Sequence, residues 1–213
     1  MAIIEVRNVS YSYDGKKDVL TNISVAFEEG KMYAILGPSG CGKTTLLSLL
    51  GGLDIPSSGE ILFEGMDIRK TGLAAHRRKH VSFIFQNYNL IDYMTPLENT
   101  ALVSKTSALS TLMRLGLTKE EIKRNVLKLS GGQQQRVAIA RAMVSGAKVI
   151  LADEPTGNID DEMSEEITLI LKESAKELGK CVIIVTHSIE LAKQADTVFL
   201  LRNGVLHEQP KTE

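Results

Sequence analysis

The chain has 213 residues, a formal net charge of −1 and a pI near 6.5, with 43% hydrophobic and 24% charged residues. That length suits one domain with a sizeable core and is cramped for two; the composition is that of a globular enzyme and excludes a fibrous or disordered chain. The near-neutral charge excludes an overall pull toward nucleic acid or an anionic bilayer, and the most apolar runs, 149–152 and 182–185, fall far short of the ~20 residues that cross a bilayer as a helix.

The opening Ala2-Ile3-Ile4-Glu5-Val6-Arg7 carries an early acid and no long apolar stretch, unlike a signal peptide. Two cysteines, Cys41 and Cys181, fall in a loop and an apolar run and give no disulfide framework, so a reducing cytosolic setting is expected. Residues 3–9 alternate and predict a half-buried strand; Asp14-Gly15 turns, and 23–27 predict a second strand, an antiparallel β start. After Glu29-Gly30 the short apolar run 32–36 ends at Gly37 and gives way to a helical segment from Thr44 to Leu50. Pro56-Ser57-Ser58-Gly59 is turn chemistry before a strand at 60–63, closed by Glu64-Gly65. The basic run 76–80 lacks interleaved aromatics and reads as a solvated helix end, not a nucleic-acid patch.

A strand at 81–85 ends at Gln86. From Thr95 to about Lys128 the pattern turns helical, interrupted at 107–111 and at Gly116, and predicts a small helical insertion of about residues 87–135 within a single domain spanning 1–213. Ser130-Gly131-Gly132 precedes a helix at 133–143. A strand at 149–152, a helix from about 161 to 178, a strand at 182–186, a helix at 189–194 and a hairpin through Asn203-Gly204 complete the chain. Strands alternating with helices predict an α/β fold with a parallel sheet.

Gly37-Pro38-Ser39-Gly40-Cys41-Gly42-Lys43-Thr44 matches Gly-x4-Gly-Lys-Ser/Thr in full, between an apolar strand and a helix. The glycines let backbone N–H groups turn inward around phosphates, and the helix N-terminus adds partial positive charge. Lys43 is placed for the β- and γ-phosphates and the Thr44 hydroxyl for Mg²⁺, with Thr45 following in the same cradle; the expected ligands are a nucleoside triphosphate and Mg²⁺. The run Val149-Ile150-Leu151-Ala152 ends in Asp153-Glu154, and a buried parallel strand delivers its C-terminal residues to the ligand crevice. Asp153 is then placed to hold Mg²⁺ and Glu154 to accept a proton from attacking water, although acids at a strand end can also be plain turn residues. Gln86 and His187 follow apolar strands toward the same sheet edge. Gln86 can reach Mg²⁺ or the water, and His187 can donate to the γ-phosphate and hold Glu154.

Leu129-Ser130-Gly131-Gly132-Gln133-Gln134-Gln135-Arg136 resembles the signature motif of ABC ATPases, and the resemblance spans nearly the whole chain in the order of its elements. It implies a P-loop NTPase (RecA-like) core with an N-terminal antiparallel β subdomain and the helical insertion. It also implies a signature whose Ser130, Gly131, Gly132 and Gln133 close over the nucleotide of a second subunit, with two identical chains as the expected pair. Tyr13 resembles the residue that stacks on adenine, with Tyr11 a near rival. Gly157-Asn158-Ile159-Asp160 stands where the family usually reads Ser-Ala-Leu-Asp, keeping Asp160 and replacing the small residue by Asn158. The stretch Phe85-Gln86-Asn87-Tyr88-Asn89-Leu90 with Thr95-Pro96-Leu97-Glu98-Asn99 resembles the branch that serves lipoprotein release, macrolide efflux and antimicrobial-peptide resistance.

The resemblance implies an ATP-hydrolysing subunit that drives a separate integral membrane permease from the inner face of the cell membrane. The alternative is a soluble ABC ATPase outside transport, though such proteins typically carry fused cassettes or a long coiled-coil insertion. A GTPase reading lacks an Asn-Lys-x-Asp motif. Replacing Lys43 by Ala should lower ATP hydrolysis by about 100-fold or more, measured as phosphate release; wild-type activity in that variant would remove the loop from the chemistry.

Overall fold

The computed structural model describes residues 2–157, 159 and 161–210. Strands β1 (Ala2–Tyr11) and β2 (Leu20–Glu28) pair antiparallel, burying Ile4, Val6 and Val9 against Leu20, Ile23 and Phe27. β3 (Met32–Leu36) leads through the glycine loop into α1 (Lys43–Leu50). β4 (Ser58–Phe63) and β5 (Met66–Asp67) then return to the first sheet, whose order is β2-β1-β4-β5.

Two short helices follow, α2 (Ile68–Thr71) and α3 (Leu73–Lys79). Here the structure corrects the expectation of a solvated basic helix end, because His76 is fully buried. Its Nε2 lies 3.0 Å from the Leu50 carbonyl oxygen and its Nδ1 3.2 Å from His80 Nδ1, which satisfies a buried imidazole. Burial lowers the His76 pKa, with the Leu50 carbonyl acting against that shift. Arg77, Arg78 and Lys79 behave as the sequence suggested, all three exposed.

β6 (Val81–Ile84) stops one residue before the predicted end, at the last pairing with its neighbour. Helices α4 (Pro96–Ala101), α5 (Leu109–Arg114) and α6 (Lys119–Ile122), a 3₁₀ turn (Val126–Lys128) and α7 (Gly131–Val144) come next. α5 begins inside the predicted interruption at 107–111, because Leu112 and Leu115 are buried beside Ala108 and tertiary packing outweighs the polar Ser-Thr composition. β7 (Val149–Asp153), α8 (Asp161–Lys176), β8 (Cys181–Thr186), α9 (Ile189–Lys193), β9 (Thr197–Arg202) and β10 (Val205–Gln209) complete the fold.

The second sheet runs β10-β9-β3-β8-β7-β6, parallel except for β10 at its edge. Strands β7 and β8 are covered on both faces, which is why they are nearly continuous runs of Val, Ile, Leu and Ala. Alternation along β8 divides the core. Cys181, Ile183 and Val185 pack with α1 and the antiparallel sheet, whereas Val182 and Ile184 pack with α7, α8 and Leu112, Leu115 and Ile122 of the helical stretch.

Gly51 closes α1 with φ −84°, a conformation open to any residue, yet an added Cβ would stand 1.9 Å from the Phe83 ring. Gly51→Ala should therefore destabilise by about 1–3 kcal/mol through overpacking alone. A urea midpoint would show it, and Phe83→Leu in the same chain should restore part of the loss.

Candidate functional site

Register brings the polar residues together. Leu36 pairs with Thr186, Val185 with Asp153, and Ala152 with Ile84, so β3, β8, β7 and β6 end side by side at one sheet edge. The phosphate loop leaves β3, His187 follows β8, Asp153 ends β7 with Glu154 next, and Gln86 lies just beyond β6.

Gly37 has no room for a side chain, since a Cβ would meet the Leu201 carbonyl oxygen at 2.5 Å and Cys41 Sγ at 2.7 Å. Gly42, the N-cap of α1, has φ 103°, a backbone conformation that glycine adopts without strain. Pro38, Ser39 and Gly40 are exposed at the loop tip. Lys43 Nζ donates to the Gly37 and Pro38 carbonyls at 2.8 and 3.2 Å, so the ammonium lies across the cradle a phosphate would fill.

The Thr44 hydroxyl donates to Asp153 Oδ1 at 3.3 Å. Burial pushes the Asp153 carboxyl above its usual range and Glu154 adds to that, while Thr44 and Lys43 oppose it. Two hard oxygen donors beside a phosphate cradle fit Mg²⁺, which takes one or two protein oxygens and completes its shell with phosphate and water.

Glu154 adopts φ 46°, rare for a non-glycine residue, and its backbone N–H donates to the Val185 carbonyl at 2.9 Å. Its Oε2 accepts from the His187 backbone N–H at 3.3 Å and lies 3.0 Å from His187 Nδ1. The Glu154 side chain is 14% exposed and that of His187 73%. A neutral imidazole carries one N–H, so His187 can donate both to Glu154 and to a second acceptor only as the imidazolium. Gln86 is exposed and lines a small cleft with Glu154, Pro155 and Gln135.

Burial separates the two tyrosines. Tyr11 is 6% exposed, and its hydroxyl donates to Asp54. Tyr13 is 70% exposed, with its hydroxyl 2.8 Å from Thr45 Oγ1 and its ring edge-on to Tyr11 at 5.0 Å. Only Tyr13 has a face free for stacking.

Ser130 caps α7, accepting from the Gln133 N–H at 3.3 Å, while Gln133 Oε1 accepts from the Ser130 N–H at 2.9 Å. Ser130 and Gly131 are exposed, and Gly132 is half-buried beside Ile159. The cavity beside them is lined by Gly116, Gln133, Arg136 and Gly157 and by no residue of the phosphate loop. The signature cavity thus shares no residue with the phosphate loop, although its lining residue Gly157 also approaches Gln86. Asp160 and Asn158 lie outside the described residues.

One contact escaped the sequence reading. Gln135, in the run of three glutamines, is 2% exposed and donates through Nε2 to the Pro155 carbonyl at 2.7 Å, tying α7 to the loop after Glu154. Its place inside a helix signature gave no sign of that reach.

A family model described as ABC transporter matches residues 20–157. The chain belongs to this family. The cassette is 42% identical over 96% of its length to an uncharacterized ABC transporter ATP-binding protein, YclH of Bacillus subtilis, covering 95% of that protein. It is 39% identical to the lipoprotein-releasing system ATP-binding protein LolD of Idiomarina loihiensis, covering 98% of each chain. Among solved structures, the bacterial ABC transporter cassette MJ0796, a dimer, superposes with TM-score 0.90 at 35% identity over 99% of both chains. MJ0796 has also been solved in a post-hydrolysis state bound to ADP and Pi, TM-score 0.89. The present chain is also 41% identical over its whole length to the macrolide export ATP-binding/permease protein MacB of Salmonella choleraesuis, of which it spans 35%. The fold, the family and the lipoprotein and macrolide branch are those the motifs predicted, and the cassette is an ABC ATPase.

Cys41 is half-buried inside the phosphate loop, whereas Cys181 is fully buried in β8 with its thiol pushed up by desolvation. A maleimide should therefore modify Cys41 alone and inhibit ATP hydrolysis, and ATP should slow both. Peptide mapping with equal labelling rates with and without ATP would contradict this placement.

Proposed function

We propose that this cassette is the ATP-hydrolysing subunit of a transporter of the lipoprotein-release or drug-resistance type, acting on a separate membrane permease at the inner face of the membrane. Two copies bind Mg-ATP head to tail, and their closure pulls on the permease. The observation that carries this reading is where the anion-binding groups stand: Lys43, Thr44, Gln86, Asp153, Glu154 and His187 follow strand ends at one sheet edge, while Ser130 and Gly131 stand exposed at the start of α7 beside a cavity that no phosphate-loop residue lines. A second copy turned head to tail would complete each site. The dimeric form of MJ0796 and its ADP and Pi complex support that reading.

Within each site the loop N–H groups and Lys43 hold the β- and γ-phosphates, and Tyr13 stacks on adenine while its hydroxyl is held by Thr45. Thr44, Asp153 and Gln86 would hold Mg²⁺, which would neutralise charge on the phosphate oxygens. Glu154, oriented by the two His187 donors, takes a proton from water as the water oxygen bonds to the γ-phosphorus and the bond to ADP breaks. The exposed His187 ring also offers a donor to the γ-phosphate.

No helix among the described residues is long and apolar enough to cross a membrane. The helical stretch after Gln86 forms one wall of a groove of about 630 Å³, lined by Arg78, Lys79, Phe83, Phe85, Val103 and Arg141, which suits a protruding segment of the permease.

Glu154→Gln should bind Mg-ATP, lose turnover by about 100-fold or more, and shift from monomer to dimer on size exclusion with light scattering when nucleotide is present. Wild-type turnover would remove Glu154 from the role of base. A monomer that still binds ATP would refute pairing through nucleotide alone.

A further inference from the structure

The signature turn is held by a carboxylate from a neighbouring helix. α6 opens with its own capping box: the Glu121 N–H donates to Thr118 Oγ1 at 3.3 Å and the Thr118 N–H to Glu121 Oε2 at 2.8 Å. α7 opens with a second, made by Ser130 and Gln133. The two boxes are joined, because Gln133 Nε2 donates to the remaining oxygen, Glu121 Oε1, at 2.6 Å in a part-buried setting.

The chemistry of this chain of bonds is one-directional. An ionised carboxylate only accepts, so the Gln133 amide must present its nitrogen to Glu121 and its oxygen to the Ser130 N–H. The Thr118 N–H and the Gln133 amide each donate to one oxygen, which holds the Glu121 carboxyl below its usual range, the Thr118 donor contributing most. A Glu at position 133 could also close the α7 box, but its second oxygen would face Glu121 with no proton between them. Glutamine alone of that length accepts on one side and donates on the other.

We infer that Glu121 is a positioning residue for the signature: by orienting the Gln133 amide it fixes the turn at Ser130 that the opposite subunit's nucleotide would meet. This rests on the head-to-tail pairing proposed above. The capped turn has φ −65° and ψ 163° at Ser130, which aims its hydroxyl at the helix start and leaves the residue exposed. Without Glu121 the amide is free to rotate, and the signature becomes an ensemble of turns that must be ordered at closure. The phosphate loop of the same chain makes no described contact with Glu121, so the subunit's own nucleotide affinity is independent of it.

The test places Glu121→Ala and Thr118→Ala separately in the Glu154→Gln chain. Thr118→Ala removes the hydroxyl that caps α6 and leaves the Glu121–Gln133 bond, so it reports a merely structural role. Glu121→Ala should raise the protein concentration needed for Mg-ATP dimerisation by about 100-fold, about tenfold for each of the two signatures in the pair, the loss expected for one hydrogen bond to a charged group at each. Binding of a fluorescent ATP analogue to dilute monomer should be unchanged, and Thr118→Ala should dimerise nearly as the parent does. Equal weakening by both variants, or a loss of monomer nucleotide affinity with Glu121→Ala, would overturn the inference. Amide hydrogen exchange on the nucleotide-free monomer decides the matter even if the parent does not dimerise. Exchange at the Ser130 and Gln133 N–H groups should speed up several-fold in Glu121→Ala and not in Thr118→Ala, and unchanged protection would refute the positioning role whatever the pairing does.

Discussion

Everything at the polar edge depends on the register of a parallel ladder. β3, β8, β7 and β6 finish together because Leu36 meets Thr186, Val185 meets Asp153 and Ala152 meets Ile84. A slip of one residue would turn every side chain of a strand to its other face. Both faces are apolar, but they pack against different layers, and the alternation of Ile183 and Val185 with Val182 and Ile184 matches each residue to its own layer. The core therefore sets the register, and the register sets the distance between Thr44 and Asp153.

The edge is a place where stability yields to chemistry. Asp153 is half-buried beside Glu154, an arrangement whose charge repulsion and desolvation a compact core would avoid. Glu154 holds a left-handed backbone angle that ordinary residues resist. Both are sustained by neighbours already in place: the Thr44 hydroxyl for the first, the Val185 carbonyl and the two His187 donors for the second. Gln135 adds a brace from α7 to the Pro155 carbonyl, so the helix that carries the signature also touches the loop that carries the acid.

The signature itself is a surface feature built on an interior one. α7 buries Val137, Ala138, Ile139 and Ala140, while Ser130 and Gly131 at its start stay exposed. What holds that turn is hydrogen bonding between caps, through Gln133 to Glu121, rather than packing. Such a device is stiff enough to present a fixed anion site and small enough to leave the surface free.

Much of this was legible in the residues. The phosphate loop declared itself because strand, glycines, lysine and helix are consecutive, and β3 and α9 began where the apolar pattern placed them. Short-range chemistry of that kind is written in order along the chain. His76 was misread because its neighbours are basic; only folding brings the Leu50 carbonyl and His80 to its ring. Tyr11 and Tyr13 look alike in sequence, two residues apart on what could be one strand, and their difference is that Asp54, far along the chain, meets the first and not the second. The start of α5 was hidden for the same reason, since Leu112 finds its burial among residues of other elements. The sequence by itself determined which groups could do chemistry and on which local turn each would sit, because those depend on neighbours within a few bonds. The tertiary structure alone decided which of them meet, which tyrosine stays free and what braces the signature, because those are contacts between strands and helices whose order in space differs from their order in the chain.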